Sequence, residues 1–156
     1  MDLLEQRKIG ILPKIDIAGH HYTVDIQLNE LRNVELPWKK LSLDEMVTAP
    51  DGQHYLFFYD REKRAILHAS PDMVSLPKNA VLVEILYEMG LDPIGLARKY
   101  GLSDEYFLKI HPYEKVLNAT LTSLEKSGLP EYVVTNQKQH QQAPQVPQKK
   151  QQRKSQ

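Results

Sequence analysis

Two adjacent histidines, His20 and His21, each stand four residues from a carboxylate, Asp16 before the pair and Asp25 after it. Imidazole and carboxylate ligate divalent metals and exchange protons, so chemistry is sought here first. The spacing argues against it. Neighbours on a strand point to opposite faces, and no second ligand pair follows at a defined interval. No metal ligand and no cofactor is assigned. His54 and His68 flank a hairpin, where a cross-strand contact is all that is expected, and His111 stands apart. No serine sits on a Gly-flanked elbow, and neither G-x-G-x-x-G nor G-x-x-x-x-G-K occurs. The absence of cysteine removes disulfides, thiolate catalysis and Cys-ligated zinc. The chain is expected not to be an enzyme.

Residues suited to binding are easier to find. Trp38, in "LPWKK", either covers one edge of the core or anchors a partner, a role in which amphipathic Trp is over-represented. Tyr55, Phe57 and Tyr59 bring further aromatic surface on one extended run and are assigned with Trp38 to a partner-binding face. Arg98 and Lys99, with Lys149, Lys150, Arg153 and Lys154, are the candidates for phosphate contacts.

The elements that must carry these residues follow from patterning. In "KIDIAGHHYTVDIQL", a turn centred on Gly19-His20 sets Ile17 opposite Tyr22, Ile15 opposite Val24 and Lys14 opposite Asp25. Ile15, Ile17, Tyr22, Val24 and Ile26 then share one face, as a half-buried antiparallel pair requires. Ser42 with Glu45 fits a capping box for a short helical turn, with Leu41 stapled to Met46. "APDG" at 49–52 is turn chemistry. "HYLFFYDREKRAILH" reads as a second hairpin, its first strand apolar on both faces and so central in a sheet. Residues 80–86 are assigned to a strand, although Leu82, Ile85, Leu86 and Met89 also have helical spacing. Asp92 caps a helix with Pro93 at its first position and Gly101 at its end; Ser103 caps a second, which Pro112 stops. "EKVLNATLTSL" is expected as a strand and "LPEYVV" as a short extended piece. The fold class is α+β: antiparallel hairpins with a helix-turn-helix corner packed on one side.

Ala97, Gly101, Leu102 and Phe107 resemble the spacing of the helix-turn-helix family, in which small and apolar residues let two helices cross closely. Asp104 and Glu105 occupy the positions where that family's reading helix meets nucleic acid, which disfavours such use. The runs "LPKIDIAGHHYTVDIQLNELR", "YLFFYD" and "LDPIGLARKYG" resemble small uncharacterised proteins carried on bacterial mobile elements. That resemblance implies bacterial origin and an accessory role and assigns no site residue.

Composition sets the outer limits. Of the 156 residues, 41% are apolar and 26% charged, which is ordinary for a globular chain. One domain over 1–135 is expected, followed by a disordered tail over 136–156 in which nine of 21 residues are Gln. The formal charge of zero divides unevenly, with −5 on the body and +5 on the tail. The start, "MDLLEQRKIG", has no apolar signal region, and no run is long enough to span a bilayer, so a cytoplasmic protein with no membrane partner is expected. Two functions are carried forward. The first is a non-enzymatic interaction protein that binds a protein partner through its sheet surface, with the basic tail as a tether. The alternative is nucleic-acid binding by the 92–111 helical pair and the tail.

Overall fold

Alternating Ile, Tyr and Val from Ile15 to Ile26 build the first hairpin: β1 (Lys14–Ile17) and β2 (His20–Asp25). Its turn is Ala18-Gly19, with φ of 54° and 86°, so both central residues are left-handed and Gly19 takes the second position. The Gly19 N–H donates to Asp16 Oδ1 at 2.9 Å and fixes the bend. Ile17 therefore faces His20, Ile15 faces Tyr22 and Lys14 faces Thr23. This corrects the sequence-based register by two residues. A two-residue slip preserves faces, so Ile15, Ile17, Tyr22, Val24 and Ile26 are all buried as expected. The Lys14–Asp25 pair does not form; Asp25 instead takes Arg32 Nη1 at 2.6 Å.

The structure is a computed structural model describing residues 2–68, 72–113 and 117–142. Two further strands, β3 (Glu30–Asn33) and β4 (Lys40–Ser42), extend the hairpin into a meander. Beyond it lie β5 (Val47–Thr48), β6 (His54–Asp60), β7 (Ala65–Leu67), β8 (Ala80–Leu86), β9 (Leu117–Asn118) and β10 (Thr120–Ser123). The strands form two sheets, in the orders β4-β3-β2-β1-β9 and β10-β8-β6-β5, with β7 also on β6. The fold is α+β, and the assignments of 80–86 to a strand and of β6 to the sheet interior both hold. The "EKVLNATLTSL" strand divides at Ala119: β9 pairs in parallel with β1, whereas β10 pairs with β8 in the other sheet. Ile15, Ile17, Tyr22, Val24 and Leu31 from one sheet and Tyr55, Phe57, Tyr59, Val83 and Ile85 from the other share one buried cluster.

Four α-helices are present among the described residues: α1 (Leu3–Lys8), α2 (Glu88–Leu91), α3 (Pro93–Lys99) and α4 (Leu129–Gln142). The start of α1 is a reciprocal cap: Glu5 N–H donates to Asp2 Oδ1, and Asp2 N–H to Glu5 Oε1. Asp92 caps α3 as expected, its Oδ1 accepting from Gly95 N–H at 3.0 Å, with Pro93 in the first turn. The same carboxylate takes the buried Arg7 guanidinium from α1, through Nε at 3.0 and 3.1 Å and Nη2 at 2.9 Å. An ion pair thus locks α1 onto α3.

Two further expectations fail. Residues 104–110 form successive turns, not a second helix. Asp104 and Glu105 turn away to Arg98 and Lys8, and Pro112 leaves too short a segment for a stable helix. The segment expected as extended after Gly128 is instead α4, which reaches Gln142 and so continues past Thr135. Its anchors are tertiary: Asn136 Nδ2 and Gln137 Nε2 each donate at 2.7 Å to the carbonyls of Met73 and Val74. Residues 143–156 lie outside the described residues. Among those described, no helix is long and apolar enough to cross a membrane.

Candidate functional site

The aromatic run separates into two roles. Odd residues of β6 face inward, so Tyr55, Phe57 and Tyr59 are buried, the last completely. They are not available to a partner, which corrects their assignment to a binding face. Trp38 is the opposite: 72% of it is exposed, on the loop between β3 and β4, and it covers no core edge.

That loop is held from several sides. Leu36 N–H donates to Asn33 Oδ1 at 2.9 Å, and Lys39 N–H donates to the Leu36 carbonyl at 2.7 Å. Arg64, from the β6–β7 loop, donates through Nη1 to Glu35 Oε1 at 2.7 Å and to Asn33 Oδ1 at 3.2 Å. Lys39 Nζ reaches the Lys63 carbonyl at 3.1 Å. Two neighbouring hairpin loops therefore brace one another, and Trp38 stands exposed on one of them. Asn33 Oδ1 accepts from two donors, so the orientation of its amide is fixed. Its Nδ2 is buried with no partner among the described residues. A cavity of about 180 Å3 opens beside it, lined by Gly19, His20, His21, Asn33, Val34 and Glu35.

Behind the cavity runs a chain of hydroxyls. Tyr22 and Tyr59 meet through their oxygens at 2.6 Å, and the Tyr59 oxygen lies 2.7 Å from His20 Nδ1. Only one proton order lets both buried hydroxyls donate: Tyr22 donates to Tyr59, Tyr59 donates to Nδ1, and His20 carries its proton on Nε2. Burial, then the nearby Arg64, holds the His20 pKa below its ordinary 6.5. Burial, reinforced by the Tyr22 hydroxyl, pushes the Tyr59 hydroxyl far above 10.0. Both shifts favour the neutral forms of His20 and Tyr59.

Tyr59→Phe removes both the acceptor for the Tyr22 O–H and the donor to His20. It is expected to cost about 1–2 kcal/mol in urea denaturation. Long-range nitrogen NMR of the wild-type imidazole is expected to show the Nε2–H form; the Nδ1–H form would refute this proton order. The folded pKa is lowered, so the His20 contribution to stability is intact above 6.5 and is lost as pH falls below it.

The basic candidates are engaged elsewhere. Arg98 donates from Nε and Nη2 to the two Asp104 carboxylate oxygens, each at 2.9 Å, and from Nη2 to the Lys8 carbonyl at 2.8 Å. Lys99 Nζ reaches the Ile26 carbonyl at 3.3 Å and lies 3.7 Å from Glu88. Asp104 and Glu105 thus interrupt the basic patch that reading DNA from this corner requires. Lys115, Lys149, Lys150, Arg153 and Lys154 lie outside the described residues.

Three further histidines take carboxylate neighbours. His21 Nδ1 lies 3.8 Å from Asp16, and His68 Nε2 3.2 Å from Glu45. His54 has two: its Nδ1 is 2.7 Å from Asp51 Oδ2 and 3.4 Å from Glu84 Oε2. The Gln53 N–H and the His54 ring hold the Asp51 pKa below its ordinary value. This triad was missed from sequence. Asp51 and His54 are three residues apart, but nothing in the chain marks Glu84 as their neighbour. The chain matches no protein-family model, no curated protein and no solved structure.

Proposed function

We propose that the chain is a non-enzymatic interaction protein, with Trp38 as the anchor that enters a pocket on a protein partner. The carrying observation is the exposed Trp38 indole on a loop braced by Arg64, Glu35, Asn33 and Lys39. Bracing the loop that carries an exposed aromatic side chain reduces the backbone ordering cost on association, which favours a single Trp as an interface anchor. The partner-facing surface is then the braced loop pair, while the β6 aromatics support it from inside. The basic tail, with Lys149, Lys150, Arg153 and Lys154, adds a weak electrostatic tether to an acidic partner.

Trp38→Ala is expected to leave stability within about 0.5 kcal/mol of wild type, because the side chain is a surface one. Used as bait beside the wild-type chain, it is expected to lose at least one co-purifying protein that Ile110→Ala retains. Identical protein sets from all three baits would sink the reading. Nucleic-acid binding by the body is tested on a chain ending at Gln142 rather than Thr135, so that α4 stays whole. Saturable, sequence-selective binding by that shortened chain would favour the alternative.

A further inference from the structure

The geometry points to a binding site for a first-row divalent cation formed by Asp51, His54 and Glu84. Each side chain offers one ligand atom, and the three atoms lie within 4.8 Å of one another. The backbone sets this convergence. Asp51 sits in the turn closed by the Gly52 N–H on the Ala49 carbonyl at 2.9 Å, with Gly52 at φ 70°. His54 opens β6 directly after that turn. Leu56 faces Glu84 and His54 faces Leu86, so His54 and Glu84 are diagonal neighbours on one face of the sheet. Asp51 Oδ1 is already tied to the Gln53 N–H at 2.8 Å, which aims Oδ2 at the histidine. A carboxylate oriented in this way is what outer hydrogen bonds provide in metal sites.

Charge points the same way. Two carboxylates converge on one ring nitrogen, and among the described residues neither forms an ion pair with a Lys or Arg. A proton on Nδ1 would face both carboxylates. A divalent cation in place of that proton binds all three atoms at once. With metal–ligand bonds of about 2.1 Å, tetrahedral ligand atoms stand roughly 3.4 Å apart. Glu84 Oε2 is already 3.4 Å from Nδ1, Asp51 Oδ2 has to withdraw from its 2.7 Å hydrogen bond, and the two carboxylate oxygens lie within 4.8 Å of each other before any cation draws them in.

One imidazole and two carboxylates suit Zn2+, Mn2+, Co2+ or Ni2+, whereas Ca2+ wants six or more oxygens. Three protein ligands leave a position open to water or to a ligand. The turn that carries Asp51 also walls a cavity of about 260 Å3, with Gly52, Gln53, Leu86, Tyr87, Met89 and His111 in its lining.

The test is titration of the full chain with Zn2+ alone, followed by calorimetry and by the imidazole nitrogen resonances. One equivalent is expected, with the His54 Nδ1 signal moving. Asp51→Asn and Glu84→Gln are each expected to weaken binding by roughly tenfold or more, and His54→Ala by at least as much. His21→Ala removes the competing imidazole beside Asp16 and is expected to leave the affinity unchanged. Glu84→Gln is a conservative change at a partly exposed side chain, so it separates ligand loss from misfolding, checked by circular dichroism. No saturable binding, or equal binding by wild type, Glu84→Gln and His54→Ala, overturns the site.

Discussion

Arg7→Met is expected to destabilise the fold by about 3–5 kcal/mol in chemical denaturation, a third or more of the stability of an average domain. The guanidinium side chain is 4% exposed and its Asp92 partner 0%. Methionine keeps much of the stem's volume, so the loss is electrostatic rather than a cavity. The Asp92 carboxylate would keep the Gly95 N–H as a donor and lose three charge-assisted bonds. It is then left buried without a counter-ion. The double variant Arg7→Met/Asp92→Asn removes both charges and keeps a capping oxygen. It is expected to recover much of the loss, because a buried pair is costly to break but not to replace. A loss below 1 kcal/mol for Arg7→Met would mean that solvent reaches the pair.

Gly95→Ala is expected to cost about 3 kcal/mol, against the normal sign for this substitution in a helix. Alanine ordinarily gains about 1 kcal/mol over glycine inside a helix. Here an added Cβ would overlap the Asp92 carboxylate and come within 3.0 Å of Arg7 Nη2. The carboxylate cannot swing away, because it is fixed by Arg7 and by the Gly95 N–H itself. Overpacking alone costs roughly 1–3 kcal/mol, and displacing Asp92 also weakens the buried ion pair. Thermal unfolding of the single variant decides the matter; an unchanged or raised midpoint would refute the account.

Local features of the fold were readable wherever one face or one cap settles the choice. The apolar alternation of Ile15, Ile17, Tyr22, Val24 and Ile26 identifies the inward face even when the turn is placed one residue late, because a two-residue slip does not change faces. Asp92, Pro93 and Gly101 mark α3 from start to end. The misses share a cause, which is contacts between distant residues. Arg7 and Asp92 are 85 positions apart, so neither reads as half of a buried pair. Residues 104–110 have a cap and an apolar rhythm, but Asp104 and Glu105 are drawn to Arg98 and Lys8. Gln is a good helix former, but the Gln-rich half of α4 has no apolar stripe to mark it as a docked helix, and the bonds to Met73 and Val74 supply the anchoring that a stripe would. Of the aromatics assigned to a partner-binding face, Trp38 is exposed. The burial of Tyr55, Phe57 and Tyr59 was not readable, because both faces of β6 are apolar and the sequence does not say which one meets the other sheet.

The crossing at Ala119 has a consequence for how the chain is made. β1 emerges from the ribosome about a hundred residues ahead of β9, its parallel neighbour, with Ile15 waiting for Leu117 and Asp16 for Asn118. Through that interval the meander already has β2 on one side of β1 and an open row of backbone donors and acceptors on the other. Such an edge pairs readily with other chains, and pairings this distant in sequence close slowly. A nascent chain stalled before Leu117 therefore carries a sticky border that the finished protein hides. Coaggregation during synthesis, rather than instability of the folded state, is the hazard built into this topology.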